Sequence, residues 1–350
     1  MERHRYLFSF ICSSILLYGS GIDEAIEGIT HKGELRFGAI QTKDSLDRVD
    51  TTVAFGGRVS LSTKPINGLS ATGTFFTTNA LFGRDEEPMF LDSNGKSYSI
   101  LGESYIKFNI ANTTLKAGRQ IVDTPYADSD DIGMVPNSFE GYTLVNKDVE
   151  NTTIVLAWLD KWAGVDAPTP EKFSELLDDK GVFTTGLIYS KDEVEAQYWY
   201  YDLDDISFHY LEADFNSDSL EFGLQYSDQD NDNSVYGAKL KANFHDLGLG
   251  IAYNRVDGVV TNGFGGGPFF TSSEDHTIAD VKDQEAVAYS LEYEIDKFNF
   301  GVTHVNFDKG EDETDYSMSF KVNKNHSLDL IYSDMFDDGS MFRFFAKYKF

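Results

Sequence analysis

From residue 30 onward the chain alternates apolar and polar side chains with a period of two. In 34–40, Leu35, Phe37 and Ala39 share one parity, while Glu34, Arg36 and Gly38 share the other. In 52–62 the apolar parity is Val53, Phe55, Gly57, Val59 and Leu61, with Arg58 and Ser60 opposite. Such alternation places successive side chains on opposite faces of a strand. It recurs in about eighteen segments of roughly ten residues, the rhythm of a transmembrane β-barrel. The segments run from 34–40 through 69–78, 99–110 and 139–145 to 327–332 and 341–350.

The connections sort into two kinds. Tight ones fall at Lys191-Asp192, Asn216 to Asp218, His245-Asp246, Asp296-Lys297 and Lys324 to His326. Long acidic ones occupy 82–96, 160–180, 228–234, 257–284 and 308–314. Short turns at one end and long loops at the other are how an outer-membrane barrel is built. Membrane barrels face apolar side chains outward and polar ones into the lumen. The polar parity here carries Glu103, Glu195, Glu221, Glu292 and Glu294 as well as lysines and arginines. Tyr189, Tyr198, Tyr200, Tyr226, Tyr253, Tyr289, Tyr293, Tyr332 and Tyr348 recur near segment ends, as interfacial girdles do. The expected fold is all-β, a single transmembrane antiparallel β-barrel of about 18 strands with one loop folded inward. A large soluble β-sandwich or solenoid is the competing architecture.

Within 350 residues the formal net charge is −29, which repels phosphates and argues against nucleic acid as a partner. Residues 1–21 read as a signal peptide: Arg3 and Arg5, an apolar run over 7–17, then Gly19 and Gly21 before a cut near Gly21. A buried N-terminal helix is the alternative. Removal of that segment takes away Cys12, the one cysteine, and leaves 22–350 as the barrel.

One stretch departs from the strand rhythm. Between 114–118 and 139–145 lies an acidic, proline-containing insert, with the constriction expected over about 121–139. The run Gly118-Arg119-Gln120, Thr124-Pro125, Asp130-Asp131, Met134, Pro136-Asn137 and Phe139-Glu140-Gly141 resembles the constriction-loop signature of the OprD-type outer-membrane porins of bacteria. The chain end, with Phe342, Phe344, Ala346, Tyr348 and Phe350, resembles the final strand read by the barrel-assembly machinery. The resemblance implies an eighteen-stranded barrel in the outer membrane, monomeric to trimeric, in contact with lipid and lipopolysaccharide. Its third outer loop folds inward. It implies passive diffusion of small water-soluble solutes, often carboxylates or amino acids, past a basic ladder. Where family members commonly carry an arginine between Asp131 and Met134, this chain has Ile132-Gly133, which puts anion preference in doubt.

Alternation nominates the ladder: Arg36, Arg58, Lys107, Lys239, Lys241, Lys321, Arg343 and Lys347 share the lumen parity. If the last strand pairs with the first, Lys321, Arg343, Lys347, Arg36 and Arg58 form a basic wall. It faces an eyelet of Asp123, Asp128, Asp130, Asp131 and Met134. Opposed charges across a constriction set up a transverse field that orients solutes. The plain alternative is that these groups are solvated and paired with one another. Arg119 falls on the apolar parity, so it sits at a bend or at headgroup level. Asp228 to Asp232 begins like a calcium loop. Asn233 and Lys239 stand where Gly and Glu are needed, so an EF-hand is rejected. What remains there is a solvated turn or a looser surface Ca2+ or Mg2+ contact bridging lipopolysaccharide. Gly263 to Gly267 lacks the Lys-Ser/Thr of a phosphate loop and reads as a second flap or a mobile surface loop. His31, His209, His245, His276, His304 and His326 lie in no nucleophile motif, so no enzyme is expected. An adhesin or structural barrel is the rival to a porin, and planar-bilayer recording separates the two. A porin gives discrete conductance steps; a sealed barrel leaves the bilayer silent.

Overall fold

The computed structural model describes residues 24–83, 89–230 and 232–350, so the 1–21 segment lies outside the described residues. The strands run in chain order as β1 (Thr30–Asp44), β2 (Val49–Ser62), β3 (Leu69–Phe82), β4 (Tyr98–Ile110), β5 (Thr113–Gln120), β6 (Ser138–Asn146) and β7 (Thr152–Ala163). Then come the two-residue β8 (Ser174–Glu175), β9 (Val182–Lys191), β10 (Val194–Asp202), β11 (Ser207–Asn216), β12 (Leu220–Asp228) and β13 (Ser234–Phe244). The series ends with β14 (Leu247–Asp257), β15 (Glu285–Ile295), β16 (Phe298–Phe307), β17 (Glu313–Lys321), β18 (His326–Asp334) and β19 (Gly339–Lys349). Each long strand pairs antiparallel with its sequence neighbours; β8 is a side rung on β7, and β7 pairs directly with β9. β1 closes on β19 with Arg36 opposite Lys347 and Ile40 opposite Arg343. The result is a closed eighteen-strand antiparallel barrel with one extra short strand. Closure removes the unpaired edge that lipid cannot solvate.

Alternation sorts the side chains as membrane solvent requires. Leu35, Phe55, Leu61, Leu187, Leu224, Leu240, Ile251 and Leu291 are exposed on the outer face. Tyr189, Tyr198, Tyr226, Tyr289, Tyr293, Tyr332 and Tyr348 are exposed with them. The inner face holds Glu34, Arg36, Gln225, Asn254, Asp315 and Arg343, all buried. That burial identifies a feature alternation did not show: the lumen is partly filled. Two apolar clusters sit inside the wall. One gathers Tyr126, Phe139, Trp162, Trp199, Tyr201, Tyr210, Phe269 and Ile278; the other gathers Ile40, Phe90, Leu91, Met134, Val135 and Phe345. Many of these side chains come from the long loops. Wall strands and long loops supply this core together.

The seam between β1 and β2 also sets local backbone. Gly57 has φ +131°, and a Cβ there would overlap the Glu34 carbonyl across the pair. Only glycine adopts this geometry without strain. Gly57→Val is expected to destabilise the refolded barrel by about 1–3 kcal/mol, read as a lower urea midpoint of the heat-modifiable folded band.

Candidate functional site

The 121–137 loop leaves β5 at Gln120 and crosses the lumen. Thr124 to Ala127 closes a tight turn through Thr124 N to the Ala127 carbonyl at 2.8 Å and the reciprocal bond at 3.3 Å. The turn projects Tyr126 onto β10 to β12, half a circuit of the barrel from β1. Its hydroxyl donates to Ser227 Oγ at 2.6 Å, and its backbone N–H donates to the Tyr201 hydroxyl. Tyr201, Phe208, Tyr210 and Phe269 surround its ring edge-on at 5.2–6.2 Å. Such aromatic pairs add about 0.5–1.5 kcal/mol each beyond simple burial.

The returning half is clamped to the opposite wall. Arg36, 3% exposed, donates from Nη1 and Nη2 to the two oxygens of Asp131 at 2.8 and 2.9 Å. It also bonds Glu34 and the Gly133 carbonyl. Arg58 adds 3.5 Å and 3.8 Å contacts to Asp131 and Glu34. A Cβ at Gly133 would overlap the Met89 carbonyl, so no larger side chain fits at 133. Met134 and Val135 then sink beside Phe90 and Phe345. The loop spans the lumen from one wall to the other.

A second insert joins it. The 258–284 loop pairs with the first through Phe264 N to the Tyr126 carbonyl at 3.0 Å and Asp128 N to the Phe264 carbonyl at 3.2 Å. The glycine run 265–267 brings its backbone against the Asp128 carboxylate, with Gly266 N and Gly267 N at 3.5 and 3.4 Å. Farther on, Gln225 and Asn254 of the wall bond Pro268, Phe270 and Thr271. The flap reading of this loop is the one the contacts support. The 164–181 loop backs the same site: Asn137 Nδ2 donates to Asp166 Oδ2 at 2.6 Å, and Asp166 N donates to Asn137 Oδ1 at 3.1 Å.

The nominated eyelet residues divide. Asp131 and Asp123 remain exposed, and Asp128 and Asp130 are half-buried. Burial first, then the charge of Asp166, pushes the Asp130 carboxyl up to about 8. Burial likewise raises Asp128. Met134 is 2% exposed, so it packs under the loop and does not line the opening. The nominated wall divides too. Arg36 and Arg343 are not free wall charges: Arg343 is fully buried, 3.0 Å from Glu274 of the second insert. Both anchor loops, because a buried guanidinium needs a carboxylate partner. Lys239 lies on β13, within 2.8 Å of Asp214 and 3.2 Å of Glu212, away from the β19–β2 seam. Lys241 pairs with Glu292 at 2.8 Å and Lys347 with Asp329 at 3.1 Å. Lys321 is exposed at the end of β17. Lys107 sits directly opposite Lys116, and neither makes an ion pair among the described residues. Of the signature residues, Gly118 has φ +121°, Arg119 bonds Glu140 at 2.8 Å and lies over the Phe173 ring, and Gln120 accepts from Thr143. Pro125 sits in the turn with Thr124, Pro136 and Phe139 are buried, Phe139 stacks on Trp162, and Gly141 pairs opposite Gly118. The 229–233 turn is tied by Gln229 to Thr261; Asn231 lies outside the described residues.

Sequence reading missed Glu34, Lys116, Asp166, Tyr126 and Glu274. Lys116 and Glu34 were available from parity alone. The others sit on loops, where no period marks which residues turn inward.

A closed eighteen-strand barrel with loops folded across its lumen defines an outer-membrane pore for small solutes. The sequence profile described as outer membrane porin, OprD family, matches residues 88–308. The chain belongs to the OprD family of outer membrane porins. It is a bacterial outer-membrane channel and not an enzyme. No curated relative matches the sequence. The fold is similar to Pseudomonas aeruginosa OccK8 (OprE), at TM-score 0.78 and 16% identity, covering 93% of this chain and 98% of that one. It is also similar to Acinetobacter baumannii OccAB4, at 0.77 and 15%, covering 92% and 98%. P. aeruginosa OpdK, solved with vanillate, gives 0.77 and 15%, covering 93% and 99%.

Arg36→Ala leaves Asp131 with only Arg58 at 3.5 Å, and Glu34 with Lys349 at 3.6 Å and Arg58 at 3.8 Å. Breaking such a buried pair costs about 3–5 kcal/mol. The expected outcome is a barrel that still folds but conducts more, with a noisier open level, as the 121–137 loop comes off β1. Unchanged conductance and noise would show that the clamp does not hold the loop.

Proposed function

We propose that the constriction is an acidic filter that favours cations, and solutes carrying an amino group, over simple carboxylates. The supporting observation is the pairing pattern. Arg36, Arg58, Lys239, Lys241, Arg343 and Lys347 each meet two carboxylates, or in the case of Lys347 one, within 4.0 Å. Asp128, Asp130 and Asp166 meet no basic side chain among the described residues. The field near the eyelet is therefore set by the loop carboxylates. The carboxylate reading keeps one foothold, the unpaired Lys107–Lys116 couple and the vanillate held by OpdK. The two readings differ in the sign of selectivity.

The rest of the assembly reading goes with this one. Residues 1–21 export the chain, Phe350 engages the barrel-assembly machinery, and each chain carries its own pore, alone or within a trimer.

Reversal potential in a KCl gradient tests the filter. The expected sign is cation-selective. Asp130 is neutral below about pH 8 and charged above it. Cation preference should therefore rise by about a few-fold between pH 6 and pH 9, and Asp130→Asn should flatten that rise. The linkage runs the same way: the folded state holds a proton that the unfolded chain releases from the ordinary carboxylate range upward. Stability from this group is present at low pH and lost as pH climbs toward 8. An anion-selective reversal potential at both pH values sinks the proposal and favours the lysine couple.

A further inference from the structure

Away from the eyelet, the 258–284 loop meets β17 through carboxylates. Glu313 is fully buried and Asp315 is 6% exposed, both on the inner parity of the strand. Backbone and hydroxyl donors from the loop cradle them: Ser273 Oγ, Asp275 N and His276 N reach Glu313 at 2.7–3.0 Å, and Glu274 N reaches Asp315 Oδ2 at 3.2 Å. Those bonds carry the loop's own carboxylates, Glu274 and Asp275, onto the same spot. Asp315 Oδ1 and Asp275 Oδ2 are buried and have no hydrogen-bond donor. Facing them are Arg343, 3.0 Å from Glu274 and 3.6 Å from Asp275, and His276, 3.6 Å from Glu313 and 3.7 Å from Asp338.

The charge does not balance. Four carboxylates cluster here while only Glu274 and Asp275 lie within 4.0 Å of the Arg343 guanidinium, and uncompensated buried charge is expensive. Geometry says what could compensate. Two oxygens on one Ca2+ lie at most about 4.8 Å apart, twice the metal–oxygen distance of roughly 2.4 Å. One oxygen each from Asp275, Glu313 and Asp315 all lie within 4.8 Å of one another. We propose that Asp275, Glu313 and Asp315 bind a divalent cation, Ca2+ in preference to Mg2+, that fastens the 258–284 loop to the barrel wall. Three carboxylate donors favour a hard cation. Ca2+ accepts an irregular set completed by water, whereas Mg2+ demands a near-ideal octahedron. The site lies at the long-loop end of β17, the side from which external divalent cations arrive. It is separate from the acidic 229–233 turn.

Equilibrium dialysis of the chelator-washed, folded porin against radioactive calcium tests this. The expected result is one saturable site per chain with Kd about 0.1–1 mM, the range of extracellular calcium modules. Asp275→Asn and Asp315→Asn should each weaken it at least about tenfold, the loss of one charged ligand. Only variants that keep the heat-modifiable folded band are scored. If Asp315→Asn does not fold, the loop variant Asp275→Asn decides alone. In bilayers, calcium on the long-loop side should quiet current fluctuations in the wild type and leave Asp275→Asn unchanged. No saturable binding up to about 10 mM, or equal binding by wild type and variants, overturns the proposal. So does binding lost only in Asp228→Asn, which would place the ion on the 229–233 turn.

Discussion

Lipid offers the backbone no hydrogen-bond partner, and the closure of β1 on β19 follows from that. Once the sheet is closed, the apolar parity must face lipid and the polar parity must face the lumen. The wall does supply inward aromatics such as Trp199, Tyr201 and Tyr210, but its polar parity leaves the interior core incomplete. It presents Glu34, Arg36, Gln225, Asn254 and Arg343 inward; wall bases alone pair Glu34, and the other four also take partners that reach them from inside.

The loops are those partners. Tyr126 plugs into β10 to β12 at one end of the first insert, and Asp131 locks onto Arg36 at the other. The second insert lies alongside and ties its glycine run to Asp128. Each attachment joins an apolar anchor to a charged or hydrogen-bonded latch. Packing supplies most of the stabilisation, while the latch fixes which way the loop faces. The same arrangement shapes the pore: most wall bases are committed to carboxylates, while Asp128, Asp130 and Asp166 of the loops have no basic partner among the described residues.

Much of this was legible along the strands and little of it along the loops. Parity placed Arg36 and Lys347 on one face, and pairing put them side by side. It gave no sign that Arg36 would be covered, because a loop of the same chain, almost a hundred residues away, does the covering. Met134 was misread for the related reason that a loop has no period. An apolar residue there can line an opening or pack beneath it, and here Phe90 and Ile40 take it. The 263–267 glycines left a second flap and a mobile surface loop both open. Their backbone approaches Asp128 so closely that side chains would be in the way.

The sequence by itself determined the barrel, its strand number, which face meets lipid and which loop carries the family signature. The first three follow from a period of two and from local turn lengths, and the last from a resemblance of local residues; none needs knowledge of distant contacts. Tertiary structure alone decided which charges remain free in the lumen. That depends on where two loops land on the opposite wall, and a landing place is a long-range match of shape and charge that no local pattern encodes.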